Sequence, residues 1–231
     1  MNVTAILPCR GRAEQTVVNV KRLLSTAGYN AWGLICVGGT DEQVLLDSLE
    51  SFGVRVVRSS APRVSYWQAL AGATAQTDAP LLVNLANDLL PGQHWLRRAV
   101  ESYQATFSTP GMLGFNGDSH EVGHSCHFLI SRQLLDRYGG WPVWYHHNFG
   151  DTELCQRAIA DGVYAKAPWA LLYHDHPYWG GQDDAVYAEG RADSDYDQGL
   201  YEQRKRQGWP RVPIASTAQL KRAISAAAGA G

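Results

Sequence analysis

Apolar and polar positions follow two rhythms along the first half of the chain. Short runs in which most residues are apolar, VTAIL (3–7), WGLICV (32–37), VRVV (54–57) and PLLVNLA (80–86), predict strands. Between them, AEQTVVNVKRLLSTA (13–27) carries Val17, Val20, Leu23 and Leu24 at helical spacing, with Gly28 as a stop. DEQVLLDSLESFG (41–53) predicts a second helix, capped by Thr40 or Asp41 and ended by Gly53, and SYWQALAGATAQ (65–76) predicts a third. Alternation at this spacing predicts an α/β fold with a mostly parallel sheet and helices on both faces. Segments such as LICV and LLV, with no polar side, suit strands buried on both faces.

In such a sheet, ligands sit beyond the carboxyl ends of the strands. Three segments fall there: PCRGR (8–12), GGTD (38–41) and AND (86–88). No GxGxxG and no GxxxxGK[ST] occurs at any of them, which argues against a dinucleotide or P-loop site. The second half reads differently. It has HSCHFLIS (124–131), an aromatic loop GGWPVWYHHNFGD (139–151), a helix over 151–162 and a strand-like ALLYHDHP (170–177). A charged, aromatic tail then runs to Trp209, and the last residues, SAAAGAG, suggest weak order.

Composition narrows the classes. Lys plus Arg total 20 and Asp plus Glu total 22, so the formal charge of -2 gives no general attraction to nucleic acid or an anionic membrane. No apolar run approaches the roughly 18 residues of a membrane span. Basic residues follow the first apolar run rather than precede it, so no secretory signal is read and a cytoplasmic location is expected, in bacteria or a phage-infected host. The four cysteines, Cys9, Cys36, Cys126 and Cys155, form no CxxC and are expected as reduced thiols.

The order of these parts resembles the family 2 glycosyltransferases of the GT-A fold. The features are an N-terminal strand ending in Pro8, a second βα unit, Asn87-Asp88 followed by Leu-Leu-Pro, an Asp-x-Glu-Leu helix start at 151–154 and a late His174. The stretch 176–208 also resembles the C-terminal part of small phage and bacterial members. The resemblance implies a Rossmann-like GT-A domain over 1–208, with a nucleotide-sugar half (1–92), a small acceptor-side half (93–208) and a partly disordered tail (209–231). It implies transfer of a hexosyl group from a nucleotide sugar, first of all a UDP-sugar, to a hydroxyl acceptor. The sequence departs from the family pattern at three acidic positions, which read Val37-Gly38-Gly39, Asn87-Asp88 and Gly150-Asp151. The contact to the nucleotide base at Gly38 is therefore absent or comes from Asp41.

Each motif has a functional and a structural reading. A leaving diphosphate calls for a divalent cation with oxygen ligands, Mn²⁺ or Mg²⁺. Asp88 is one candidate ligand, with Asn87 on the ribose or a metal-bound water; an Asx turn before Pro91 is the alternative. His174 and His176 are the candidates for the second metal ligand, because at spacing two they face one side of an extended strand. The resemblance favours His174 as a metal ligand; a pair of edge histidines is the plain alternative. Inverting transfer needs a base, for which Asp151 is the candidate and Glu153 the second, or an acceptor-orienting group. Asp151 could equally be an N-cap at a helix start that favours negative charge. Pro8, Arg10 and Arg12 would line the nucleotide, and Arg63 would approach the diphosphate. Trp141, Trp144, Tyr145, His146, His147 and Phe149 suit a sugar or base face, although at least half of such rings pack.

A rival zinc reading rests on His120, His124, Cys126 and His127. Cys126 and His127 would point to opposite faces of a strand, which breaks a cage and leaves Cys126, Phe128 and Ile130 as a core face. The acceptor remains open between a glycan and a hydroxymethylated DNA base. In the DNA case RKR (204–206) would touch phosphate; otherwise it is a solvated helix face. Two alternatives stand beside the transferase reading: a nucleotidyltransferase, and a nucleotide-sugar- or carbohydrate-binding protein without catalysis.

Overall fold

The computed structural model describes residues 1–117, 123–181 and 183–210, so most of the expected weak tail and His120 lie outside the described residues. The first half follows the predicted rhythm. It runs β1 (Val3–Pro8), α1 (Ala13–Thr26), β2 (Trp32–Gly38), α2 (Gln43–Ser51), β3 (Arg55–Arg58), α3 (Tyr66–Thr74) and β4 (Leu81–Asn84). Ser65 caps α3 by accepting from the Gln68 N–H. The expected cap of the second helix is replaced by a 3₁₀ turn over Thr40–Glu42, where no side chain bonds the helix start.

Beyond β4 the chain forms β5 (Leu89–Pro91), α4 (Trp95–Thr106), β6 (Met112–Asn116), β7 (Phe128–Ser131), α5 (Arg132–Tyr138), α6 (Gly150–Ala160), β8 (Tyr164–His174), α7 (Ala185–Ala192) and α8 (Ser194–Arg206). The tail is thus helical through Arg206. β8 begins earlier than the run 170–177 suggests.

One sheet runs through both halves in the order β3-β2-β1-β4-β7-β6-β8-β5. The expectation of a mostly parallel sheet holds from β3 to β4 and gives way beyond it. β7 is antiparallel to β4 and β6, β8 is parallel to β6, and β5 is antiparallel to β8. The mixture follows from the connections: β6 and β7 are neighbours in sequence and pair directly, without the helical crossover a parallel pair requires.

The sheet is covered on both faces. Val3, Ala5 and Leu7 of β1 and Leu81 and Val83 of β4 pack with α1, α2 and α4. The alternate residues Ile6 and Leu82 pack with α3, α5 and α6. This period of two, apolar on both sides, is why those strands read as continuous apolar runs. No helix among the described residues is long and apolar enough to cross a membrane.

Candidate active site

Asn87 and Asp88 lie in a tight turn between β4 and β5, so the turn reading is correct for the backbone. The side chains do more. Asn87 is spent on structure: its amide donates to the Arg10 carbonyl (3.0 Å) and to Thr16 (3.2 Å), and its oxygen accepts from Arg12 Nη1 (3.3 Å). It therefore braces the PCRGR loop while also lining a cavity. Asp88 lines the same cavity, of about 680 Å³ at the carboxyl ends of β1 and β4, within the size range of ligand sites.

Asp88 is 4% exposed. Its Oδ2 accepts from Arg12 Nη1 (2.9 Å) and from the Tyr187 hydroxyl (2.5 Å). Its Oδ1 has no well-directed hydrogen bond among the described residues, and His174 Nε2 stands 3.4 Å from it. Burial opposes the charged form, but His174, Tyr187 and Arg12 outweigh it and hold the carboxyl well below the usual range. The approach of Asp88 to His174 comes from the β5–β8 pairing, which sets Leu89 opposite His174. The Asp175 N–H then donates to the Asp88 carbonyl (3.0 Å).

His174 and His176 both line the cavity, as their spacing suggests. His176 uses Nδ1 to accept from the Tyr178 N–H (3.1 Å), and its pKa is pushed down to about 4, chiefly by burial. Among the described residues no three His, Cys, Asp or Glu side chains form a metal-binding group. Asp88 and His174 offer a cation at most one carboxylate oxygen and one imidazole nitrogen, so the rest of any shell would come from substrate and water.

Pro8, Arg10, Arg12 and Arg63 reach the cavity as expected. Arg12 does so from a left-handed backbone (φ 51°), a strained setting for a non-glycine residue. Gly38 and Asp41 do not line the cavity; their neighbour Val37 does. The acid that acts near the end of β2 is Glu42, which sequence reading missed. It is buried and accepts from the Gly11 N–H at 2.9 Å.

Asp151 lines the cavity from the first turn of α6, and no capping bond from a side chain is made at that helix start. The turn is tightly built. Phe149 is left-handed (φ 65°), and at Gly150 a Cβ would lie 2.3 Å from the Trp67 ring. Glu153 does not meet the expectation of an acceptor-orienting group. It is wholly buried, bonded by Tyr145 (2.8 Å), Arg157 (3.2 Å) and Arg204 (2.8 and 2.7 Å). Arg204 is correspondingly lost to any phosphate contact by RKR.

The aromatic loop divides. Trp141 and Tyr145 are core residues and Trp144 packs against Arg204, whereas His146, His147 and Phe149 line the cavity. The loop is held by Asp197 of α8, a second residue that sequence reading missed. Its buried carboxylate accepts the N–H groups of His146 (2.8 Å), His147 (2.8 Å) and Asn148 (2.7 Å). Of the rival zinc set, His124 lies near Thr152 (3.3 Å). Cys126 lines the cavity rather than the core, because the strand starts only at Phe128; Phe128 and Ile130 are core residues as expected.

No family model and no curated protein matches the chain. Solved structures do. The crystal structure of S. aureus TarS 1-349 is similar with a TM-score of 0.59 at 10% identity, covering 75% of this chain and 60% of that one. TarS 1-349 in complex with UDP-GlcNAc gives a TM-score of 0.60 at 11% identity, covering 80% and 60%. The chain thus spans about 60% of the length of those structures, and what it shares with TarS at this identity is the fold.

Proposed function

We propose that the chain is a glycosyltransferase that moves a sugar from a nucleotide sugar to a hydroxyl acceptor with inversion. The carrying observation is the convergence of Asp88, Asp151, His174 and Arg12 on one cavity at the carboxyl ends of the strands. The fold shared with TarS, crystallised with UDP-GlcNAc, supports a UDP-sugar as donor.

In this reading residues 1–92 hold the nucleotide and diphosphate, with Pro8 and Arg10 along the wall and Arg63 near the phosphates. Asp88 and His174 would hold Mn²⁺ or Mg²⁺. When bound, the cation supplies neutralisation of the departing phosphate charge. His176, kept neutral, flanks His174. Asp151 takes the proton of the acceptor hydroxyl as that oxygen attacks the anomeric carbon. His146, His147 and Phe149 form the acceptor side of the cavity. A glycan hydroxyl suits it better than a DNA base, because Arg204 is withdrawn from the surface.

The test is thermal stabilisation by UDP-, GDP-, TDP- and CMP-sugars, with and without Mn²⁺, in the wild type and Asp88→Ala. The expected result is a rise with a UDP-sugar that needs the cation and vanishes in the variant. Release of UDP from the donor should then fall by roughly 10²–10⁴-fold in Asp151→Asn, the usual worth of a general base, with donor binding retained. No shift with any sugar nucleotide would overturn the reading. Binding with equal and negligible turnover in wild type and Asp151→Asn would leave a non-catalytic binding protein.

A further inference from the structure

The arginines expected along the nucleotide, Arg10 and Arg12, and at the diphosphate, Arg63, are all engaged by α7 and its cap, but its two ends hold them differently. At the first end Asp184 caps α7, accepting from the N–H groups of Val186 (3.0 Å) and Tyr187 (3.1 Å). The same carboxylate takes Arg12 through Nε (2.5 Å) and Nη2 (2.9 Å). Arg12 also stacks on the Tyr187 ring at 4.0 Å and is only 7% exposed. Here the arginine is buried and multiply bonded, although Asp184 itself is 37% exposed.

The second end is wet. Glu189 takes Arg10 through Nε and Nη2, both at 3.2 Å, and Arg63 through Nη2. The side chains of Arg10, Glu189 and Arg63 are 30%, 38% and 57% exposed. Ion pairs this exposed are weak. The geometry is nonetheless specific: one carboxylate lies between two guanidinium groups that both line the cavity, the arrangement in which arginines take a phosphate.

We infer that Glu189 is a phosphate surrogate and a determinant of donor affinity: it fills an Arg10–Arg63 anion subsite in the free protein, and the phosphate of the donor displaces it. This rests on the proposed nucleotide-sugar reading. Displacement rather than addition follows from charge. Arg10 Nη1 already has Asp41 and Glu42 each at 3.7 Å, so a diphosphate added beside Glu189 would meet three carboxylates around two guanidinium groups. Glu42 is fixed by its bond from the Gly11 N–H, and Asp41 makes a single long contact. Glu189 is the acid that can leave: Asp184 is fixed by the α7 cap and by buried Arg12, whereas Glu189 holds only two partly exposed arginines. Its departure releases Arg10 and Arg63 together while Arg12 stays in place.

The experiment is calorimetric titration of the full chain with UDP, inorganic pyrophosphate and uridine at fixed Mg²⁺. The proteins are wild type, Glu189→Gln, Glu189→Ala and Arg63→Gln with and without Glu189→Gln. Glu189→Gln and Glu189→Ala should bind UDP and pyrophosphate about three- to tenfold tighter than wild type, the worth of losing exposed pairs to a competitor, with uridine unchanged. The gain should shrink in the Arg63→Gln background. Pyrophosphate binding that is equal or weaker in both Glu189 variants would overturn the inference. So would an equal gain for uridine, which would mean that a cover was loosened rather than an anion replaced. Failure of all three ligands to bind any of the proteins would overturn the donor reading itself, and the inference with it.

Discussion

Asp88 and Glu153 are two buried acids with nearly the same neighbours and opposite fates. Each is held by arginine and by a tyrosine hydroxyl, and each is almost or wholly removed from water, at 4% and 0% exposure. Around Glu153 every direction is filled. Arg204 spans both oxygens, Arg157 bonds one and Tyr145 the other. Around Asp88 the filling stops halfway. Arg12 and Tyr187 share Oδ2, while Oδ1 is buried beside His174 without a filled hydrogen bond. Burial and an arginine partner therefore do not mark a ligand-binding acid. A buried oxygen left without a filled hydrogen bond does, because a buried acceptor normally has its hydrogen bonds filled.

The contrast can be broken or sharpened by substitution. Glu153→Gln should have the largest effect on stability. It leaves two arginines without their counter-charge in the interior, which typically costs about 3–5 kcal/mol. For a chain of this size that is a fall in melting temperature of roughly 6–20 °C. Nucleotide and cation should still bind the folded fraction. Asp88→Asn should cost less, about 1–3 kcal/mol, because Arg12 keeps its two bonds to Asp184. It should nevertheless abolish cation-dependent stabilisation by a UDP-sugar. Paired denaturation and ligand-shift measurements on both variants check this. The distinction collapses if Glu153→Gln erases the ligand shift while Asp88→Asn leaves it intact.

The smallest effect concerns a histidine that lines the cavity and is exposed to solvent. Desolvation by the groups crowded around its ring lowers the His147 pKa, against the pull of Asp197, Asp151, Asp88 and Asp193. The unfolded chain takes up this proton near pH 6.5, while the folded chain resists it until a lower pH. Folded stability should therefore fall as pH drops below about 6.5 and level off at the lower folded value. In His147→Gln the melting temperature should decline less steeply over that window. Equal slopes in the two proteins would remove His147 from the acid sensitivity.

Much of the first half was legible because its elements are local. Continuous apolar strands and amphipathic helices announce themselves over a handful of residues, and β1 through β4 lie within a few residues of where periodicity puts them. Asp88, Asp151, His174 and the arginines were legible as candidates because each sits at the end of such an element. The tail was not. SDYDQGLYEQRKR has little apolar content, yet Asp197, Tyr201 and Arg204 are buried in it. They are stabilised by the loop at 146–148 and by Glu153, partners far away in sequence, so no local pattern could reveal them.

By itself, then, the sequence determined the alternating α/β start, the placing of polar residues at strand ends and the kinds of side chain available there. These depend on backbone geometry and side-chain period, which act over one turn or one strand. Tertiary structure decided the rest: that β8 pairs with β5 and brings His174 to Asp88, that Glu153 has every hydrogen bond filled while Asp88 does not, and that α7 and its cap carry the acids that hold the arginines. Those outcomes turn on which distant groups meet once the sheet closes, and on whether their hydrogen bonds are filled when they do.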